Sequence, residues 1–329
     1  MSNHVMFLRG AILGLLLGTL TAATAAQAQT ALTLGHNSPI GGPQDIAARV
    51  FIAELARTMP HGFSVDVRGG LTVGNDVDIF QATKLGALDM AICATLSFSN
   101  QVPAMGVLDL PFLFRDQTHA AHVLDGPIGD ELGQSLAKEG LAYLAFGELG
   151  IRQLTNSKHT IKTPADLTGL KLRVAPSEIY GLSFKTLGAD VVSMGVGEVY
   201  AGLRDGRIDG QENPLLVIQA NRFDDVQKYV SLSGHFYSAL AFFMNAGAFS
   251  ELSADEQSAI RQAAHAAAVA SREAGSASTR KAIVDMRAKG LEVTEEIDRP
   301  AFIKALAPAQ PEFDRRFGAD LIARIRTTP

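Results

Sequence analysis

Apolar residues recur along this chain with two alternating periods. Leu32 and Leu34 alternate with polar neighbours and run into Gly35-His36-Asn37-Ser38-Pro39, the pattern of a strand entering a glycine-containing loop. Ile46, Ala47, Val50, Phe51 and Leu55 then fall at helical spacing between Pro43 and Met59. Phe63-Ser64-Val65-Asp66-Val67 alternates as a strand does, a helix is expected around Asp78 to Leu85, and a strand over Leu88 to Cys93. Strands alternating with helices predict an α/β unit built on a mostly parallel sheet.

The second half repeats this pattern. Thr163-Pro164-Ala165-Asp166 carries a helix-start signal, with a capping residue followed by proline and an acid. Leu170 to Val174 reads as a strand, Tyr180 to Leu187 as a helix stopped by Gly188, and Glu198 to Arg204 as another helix. The stretches QATKLGALDMAI (81–92) and AGLRDGRIDGQE (201–212) share a helix ending at glycine, an apolar-Asp pair and a short inward run. Two similarly wired α/β lobes produce such a likeness. Beyond them, the capping box Ser253-Ala254-Asp255-Glu256 opens an alanine-rich helix expected to reach about Lys289 and to lie across both lobes, with Gly275 as a candidate kink. No low-complexity linker divides the halves, so more than one crossing segment is expected between them.

Residues 1–28 read differently. Arg9 precedes an apolar stretch too short to span a bilayer comfortably, and Ala26-Gln27-Ala28 fits a signal-peptidase site. A cleavable leader ending after Ala28 is expected, leaving an exported mature chain without a membrane span.

Composition narrows the function. The 329 residues fit about two domains at roughly 100–200 residues each. With 29 Lys and Arg against 34 Asp and Glu, the net charge of −5 argues against a nucleic-acid partner. The single cysteine, Cys93, rules out an internal disulfide and every multi-cysteine metal site. It sits in an apolar strand pattern and reads as an inert buried thiol. His119 and His122, three apart, read better as capping or surface imidazoles than as a metal pair, and no cofactor is expected. There is no G-x-S-x-G or H-E-x-x-H, and Gly195-Val196-Gly197 has Tyr200 where a dinucleotide loop requires glycine.

Two arginines carry more information. Arg173 stands near the carboxyl end of the Leu170–Val174 strand, where open α/β sheets present groups to ligands. Arg152 follows Gly147-Glu148-Leu149-Gly150-Ile151 at what reads as another strand end. A guanidinium in such a place needs an anion, either a ligand carboxylate taken by both arms of its fork or an internal Asp or Glu. Spacing leaves both readings open. Asp209 to Pro214 is dense in hydrogen-bonding side chains, and Asn213, preceding proline, is expected to be extended and to face a cleft.

Several segments in order then resemble one family. They are LDLPFLF (108–114), VLDGP (123–127), RQLTN (152–156), DLTGLKLRV (166–174), EVYAGL (198–203), DGQENP (209–214) and VQKY (226–229). Together they resemble the solute-binding subunits of TRAP (tripartite ATP-independent periplasmic) transporters. The resemblance implies a fold like the type II periplasmic binding proteins, with two α/β lobes around a cleft, braced by the long helix. The lobes would comprise 29–150 plus about 239–280, and 151–238 plus about 281–329. It implies that Arg173 clamps a ligand carboxylate, that Arg152 and Asn213 add contacts, and that Asn37, Asp76, Thr95 and Val196 line the pocket. Glu178, just past Arg173, is a candidate partner for ligand hydroxyls. Val196 stands where the family often has an aromatic residue and Ala94 where sialic-acid binders have an acid, so a different acid is expected: a four-carbon dicarboxylate or a sugar acid. The implied partners are a small and a large permease subunit. A ligand sensor feeding a membrane signalling protein, or an enzyme on the same fold, are the competing functions.

Overall fold

A computed structural model of the protein describes residues 29–329; the leader expected over 1–28 lies outside them. The described chain begins with β1 (Thr30–Gly35), α1 (Pro43–Thr58), β2 (Phe63–Arg68), α2 (Asp76–Lys84), β3 (Met90–Ala94) and the single-turn α3 (Thr95–Phe98). Helices α4 (Gln117–Leu124) and α5 (Pro127–Gln134) lead into the long strand β4 (Leu141–Asn156). Next come β5 (Lys171–Val174), α6 (Glu178–Thr186), β6 (Asp190–Ser193), α7 (Val196–Arg204), β7 (Gly210–Pro214) and α8 (Leu215–Ala220). Strands β8 (Tyr229–Ser231) and β9 (Tyr237–Asn245) follow, then α9 (Ala246–Glu251), α10 (Ala254–Ala288) and β10 (Glu292–Thr294). Three short helices close the chain: α11 (Arg299–Ala305), α12 (Gln310–Phe317) and α13 (Ala319–Thr327).

The strands run in the order β2-β1-β3-β9-β4-β7-β5-β6, with β8 joining β4 to β10. Each flank is parallel, as the alternation of strands and helices requires, but the centre is not. Strand β9 is antiparallel to both β3 and β4, and β4 is antiparallel to β7. The expected parallel sheet is therefore two parallel flanks joined by an antiparallel middle.

Strand β4 explains that join. Its first part pairs with β9 as far as Ile151 and its last part with β7 from Arg152 and β8 from Leu154, and a register shift between Glu148 and Gly150 immediately precedes the change of partner. Gly150 adopts φ of 135°, and a Cβ there would meet Pro214 Cβ at 2.7 Å, so only glycine lets the strand turn from one partner to the next. Arg152, expected at a strand end, is thus inside a 16-residue strand. The helix start expected at Thr163 yields only one turn of 3-10 helix, Pro164–Leu167, because Gly169 turns the chain into β5 at once.

The two similar twelve-residue stretches are alike in space. In α2–β3 and in α7–β7, a glycine of positive φ (Gly86 and Gly206) is followed by an aspartate whose carboxylate ties down the neighbouring parallel strand. Asp89 accepts from the Thr33 backbone N–H at 2.6 Å, and Asp209 accepts from that of Lys171 at 3.0 Å.

Helix α10 runs unbroken for 35 residues through Gly275. Its stripe of Ala259, Ala263, Ala264, Ala267 and Ala268 is buried against α1 and β4, and beyond Gly275 it packs on α8 and β10. Small residues let helix and strand approach closely: a Cβ on Gly147 of β4 would meet Ser271 Oγ at 2.6 Å, and one on Gly275 would meet Glu148 Oε1 at 2.7 Å. Close approach therefore accounts for Gly275, which the sequence suggested as a kink. No helix among the described residues is long and apolar enough to cross a membrane.

Candidate functional site

A cavity opens where the two flanks of the sheet meet. It is reached by the β1–α1 loop (Asn37), α1 (Gln44), the start of α2 (Asn75, Asp76), β3 and α3 (Ala94, Ser97) from one side. From the other come β5 (Arg173), α7 (Val196) and α8 (Val217), with Arg152 of β4 and Asn213 of β7 at the join. Centres of water-sized molecules have about 60 Å³ there, against roughly 10–15 Å³ for one water, so the space suits a compact ligand.

Arg173 is the decisive group. It is third in β5, and its side chain is 2% exposed. Nε and Nη2 both donate to the Met194 carbonyl, at 3.0 and 2.8 Å, which fixes the plane of the guanidinium. No carboxylate of the described residues lies within ion-pair distance of it; Glu212 and Glu198 act only from farther off. Burial pulls its pKa down to about 10, so it remains a cation at neutral pH. A buried positive charge held in one orientation, facing a cavity and without a counter-ion, is a site for an anion.

Arg152 has the opposite standing. It is fully buried and forms a two-pronged ion pair with Glu212, with Nε on Oε2 and Nη2 on Oε1, the latter at 2.8 Å. Nη2 also reaches the Glu212 carbonyl at 2.6 Å and Asn213 Oδ1 at 2.9 Å. Of the two sequence readings for Arg152, the internal salt bridge is present, and the side chain also lines the cavity. It does orient Asn213, whose amide in turn donates to Gln211 Oε1 at 2.6 Å. As expected of a residue before proline, Asn213 is extended, in β7. His235 completes the cluster. Ser233 Oγ bonds Nδ1 at 2.6 Å and Nε2 lies 3.3 Å from Glu212 Oε2, while burial lowers the imidazole pKa. The ring is then neutral, accepting from Ser233 and donating to Glu212.

Asp76 opens α2, directly after the capping residue Asn75, whose side chain accepts from the Val77 and Asp78 amides. Its Oδ1 accepts from Gln44 Nε2 at 3.1 Å and its Oδ2 from the Ala94 amide at 3.0 Å. Burial raises its pKa to about 7.

Two expected pocket residues are elsewhere. Thr95 is buried with its hydroxyl turned toward the Ala239 carbonyl at 3.4 Å, and Ser97, two positions on, lines the cavity instead. Glu178 begins α6 on the outside of the molecule and pairs with Arg316 at 2.6 Å beside a separate, open depression. A helix-start side chain points back from its own turn, which here carries Glu178 away from the cleft. His119 and His122 contact different backbone carbonyls, those of Ile325 and Pro329. Cys93 is buried, and burial drives its thiol pKa far up. No metal-ligand cluster of three or more occurs among the described residues.

Gln44, Ser97, Asn221 and His235 are not singled out by the sequence, and Glu212 is marked only as part of the polar stretch 209–214. Gln44 does leave a signal: it lies in register with Ala47, Ala48 and Phe51 on the buried face of α1, an amide where an apolar residue belongs.

Three buried carboxyls give a pH prediction. Burial raises Asp76, Asp109 and Glu148 to about 7 each. An acid that holds its proton more tightly folded than unfolded weakens the fold as pH rises from its unfolded pKa to its folded one. Above about pH 6.5, where the buried neutral His36 and His235 no longer oppose the effect, the ligand-free melting temperature should therefore fall up to about pH 7.5 and then level off. A scan of melting temperature against pH tests this, and a rise over that interval would contradict it.

The model of the bacterial extracellular solute-binding protein family 7 matches residues 34–316. The chain is 36% identical over 324 residues to the 2,3-diketo-L-gulonate-binding periplasmic protein of Escherichia coli K12, covering 97% of this chain and 99% of that one. Its fold superposes with a TM-score of 0.89 on a TRAP periplasmic solute-binding protein from Polaromonas sp. JS666 bound to D-erythronate, at 33% identity over 91% of this chain and 99% of the other. A TRAP solute-binding protein from Sulfurospirillum deleyianum with bound succinate gives a TM-score of 0.86 at 26% identity, over 92% and 100%.

Proposed function

This chain belongs to family 7 of the bacterial extracellular solute-binding proteins, and from that premise we propose that it is a periplasmic receptor which captures a small organic acid on Arg173 and delivers it to a TRAP-type membrane permease. The observation that carries the reading is the buried, oriented and unpaired guanidinium of Arg173 at the cavity wall. A carboxylate supplies the counter-charge that the protein itself withholds. Its relatives bind acids of this size: diketogulonate, erythronate and succinate.

In this reading the leader is removed after Ala28, and the lobes are 29–150 with about 239–280 and 151–238 with about 281–329. The switch of partner along β4 and the reach of α10 over both flanks support that division. Closure follows from differential affinity: the ligand touches both flanks only when they are together, so it favours the closed form. The permease, with its small and large subunits, then receives the ligand. The role is capture and release, with no bond made or broken.

A thermal-shift screen of the mature protein against organic acids tests this. An acid at a hundred times its dissociation constant stabilises by about 2.7 kcal/mol, which should raise the melting temperature by roughly 3–8 °C. The neutral polyol of the same carbon number should not. Equal shifts from acid and polyol would overturn the clamp.

A further inference from the structure

The two flanks of the sheet also meet away from the strands and the helix that join them. The loop between β2 and α2, Gly69-Gly70-Leu71-Thr72-Val73-Gly74, belongs to one flank and the start of α7 to the other. Leu71 is a large apolar side chain left 53% exposed, and a Cβ on Gly197 would meet its Cδ1 at 2.8 Å. Farther along the same line, a Cβ on Gly195 would lie 3.7 Å from Asn75 Nδ2. Asn75, Gly195 and Val196 line the cavity, so this seam runs along its rim.

Both partners are shaped for the contact. Gly197 is the second residue of α7 and has no positive φ, so its backbone suits any residue. Glycine is a poor helix former, and its place here answers to the approach of Leu71. In the facing loop, Gly70 and Gly74 take φ of 65° and 103° and bend the chain on either side of Leu71. The Gly70 amide donates to the Ser38 carbonyl at 3.0 Å and the Gly74 amide to the Leu71 carbonyl at 3.2 Å. The Thr72 hydroxyl donates to the Gly69 carbonyl at 2.9 Å. The turn is thereby fixed to the β1–α1 loop, itself part of the cavity wall, and presents Leu71 across the rim.

We propose that Leu71 and Gly197 form a rim latch, a positioning pair that touches no ligand but holds the flanks together over a bound acid. Leu71 does not line the cavity, so it acts through closure alone. When the flanks part, the side chain loses its seat on α7 and faces water. When they meet, the apolar area it buries favours the closed form. The ligand touches both flanks only in that form, so what stabilises closure lowers the apparent dissociation constant. Half of the side chain stays exposed, so the contact contributes a part of what a fully buried leucine would, which corresponds to roughly three- to tenfold in affinity.

The latch rests on the receptor reading, and its test separates the two. Calorimetry on the mature protein uses D-erythronate, 2,3-diketo-L-gulonate and succinate as probes. For each acid that the wild type binds, Leu71→Ala should raise the dissociation constant roughly three- to tenfold and leave the melting temperature of the empty protein unchanged. Leu71→Met, which refills the same space, should bind as the wild type does. Gly197→Leu should weaken binding further, because the new side chain strikes Leu71 and holds the rim apart. Adding Leu71→Ala to it should recover most of that loss, since a leucine then reaches the same place from α7. Circular dichroism checks the folding of Gly197→Leu, and the two Leu71 variants decide alone if it does not fold. Binding by Leu71→Ala within twofold of the wild type, or a double variant no tighter than Gly197→Leu, overturns the latch and leaves the receptor reading in place. No binding of any of these acids by the wild type overturns both.

Discussion

Arg173→Ala should abolish ligand binding while leaving the empty protein as stable as before, or more so. The binding loss is roughly 3–5 kcal/mol, the cost of burying the ligand carboxylate with no partner. The stability outcome has the opposite sign because of what Arg173 does before a ligand arrives. It is a buried cation whose only close partner among the described residues is the Met194 carbonyl, and burial already pulls its pKa down to about 10. In the empty receptor that charge is a cost, and removing it relieves the fold even as it deletes two hydrogen bonds. Arg173→Lys keeps the charge but loses the planar fork that Met194 orients, so binding should be poor there too. Calorimetry and urea unfolding on the same preparations read the two halves of the prediction. Near-normal affinity in Arg173→Ala removes the clamp. A large stability loss would show that the guanidinium serves the fold first.

The sequence made the flanks of this molecule legible and concealed its middle. Helix and strand periods placed α1, α2, α6, α7 and α10 within a few residues, because each buries one face of a regular element. Strand β4 escaped because Gly147 and Gly150 have the composition of a turn, yet they serve a close helix contact and a change of strand partner. Arg173 could be picked out because a guanidinium near the carboxyl end of a strand, where open sheets meet ligands, already poses the question of its anion. The commitment of Arg152 to Glu212 could not be, since it depends on β4 lying antiparallel to β7 with Leu154 opposite Glu212, which brings together two side chains 60 residues apart in sequence. Glu178 misled for a related reason. Nearness in sequence to Arg173 says nothing about direction, and the turn between β5 and α6 sends its side chain outward to Arg316.

The same contrast between paired and unpaired charge gives the second large effect, at Glu212. Glu212→Ala should cost roughly 3–5 kcal/mol of folding stability, because Arg152 would be left buried, charged and without its carboxylate. Arg152 and Glu212 are 1% and 0% exposed at the side chain, so water cannot step in. Burial is the largest single influence and would lower the Arg152 pKa and raise that of Glu212, but each is shifted the other way because the partner's charge and the hydrogen bonds and charges around the pair together outweigh it. For Glu212 that means a folded pKa below its unfolded one, so the stability it lends is present above the unfolded value and fades as the solution is acidified through the folded one. The truncation also strips His235 of its acceptor and Asn213 of an Arg152 held in place, so the wall of the cavity loosens along with the core. Glu212→Gln retains the shape and one hydrogen bond and should lose less. Replacing both Arg152 and Glu212 by apolar residues of similar volume should recover much of the stability lost in Glu212→Ala, since an ion pair of this kind owes its effect mainly to the penalty for breaking it. Urea unfolding midpoints for Arg152→Met, Glu212→Leu and the variant carrying both decide the matter: stabilities that simply add would show that the two side chains do not act as a pair.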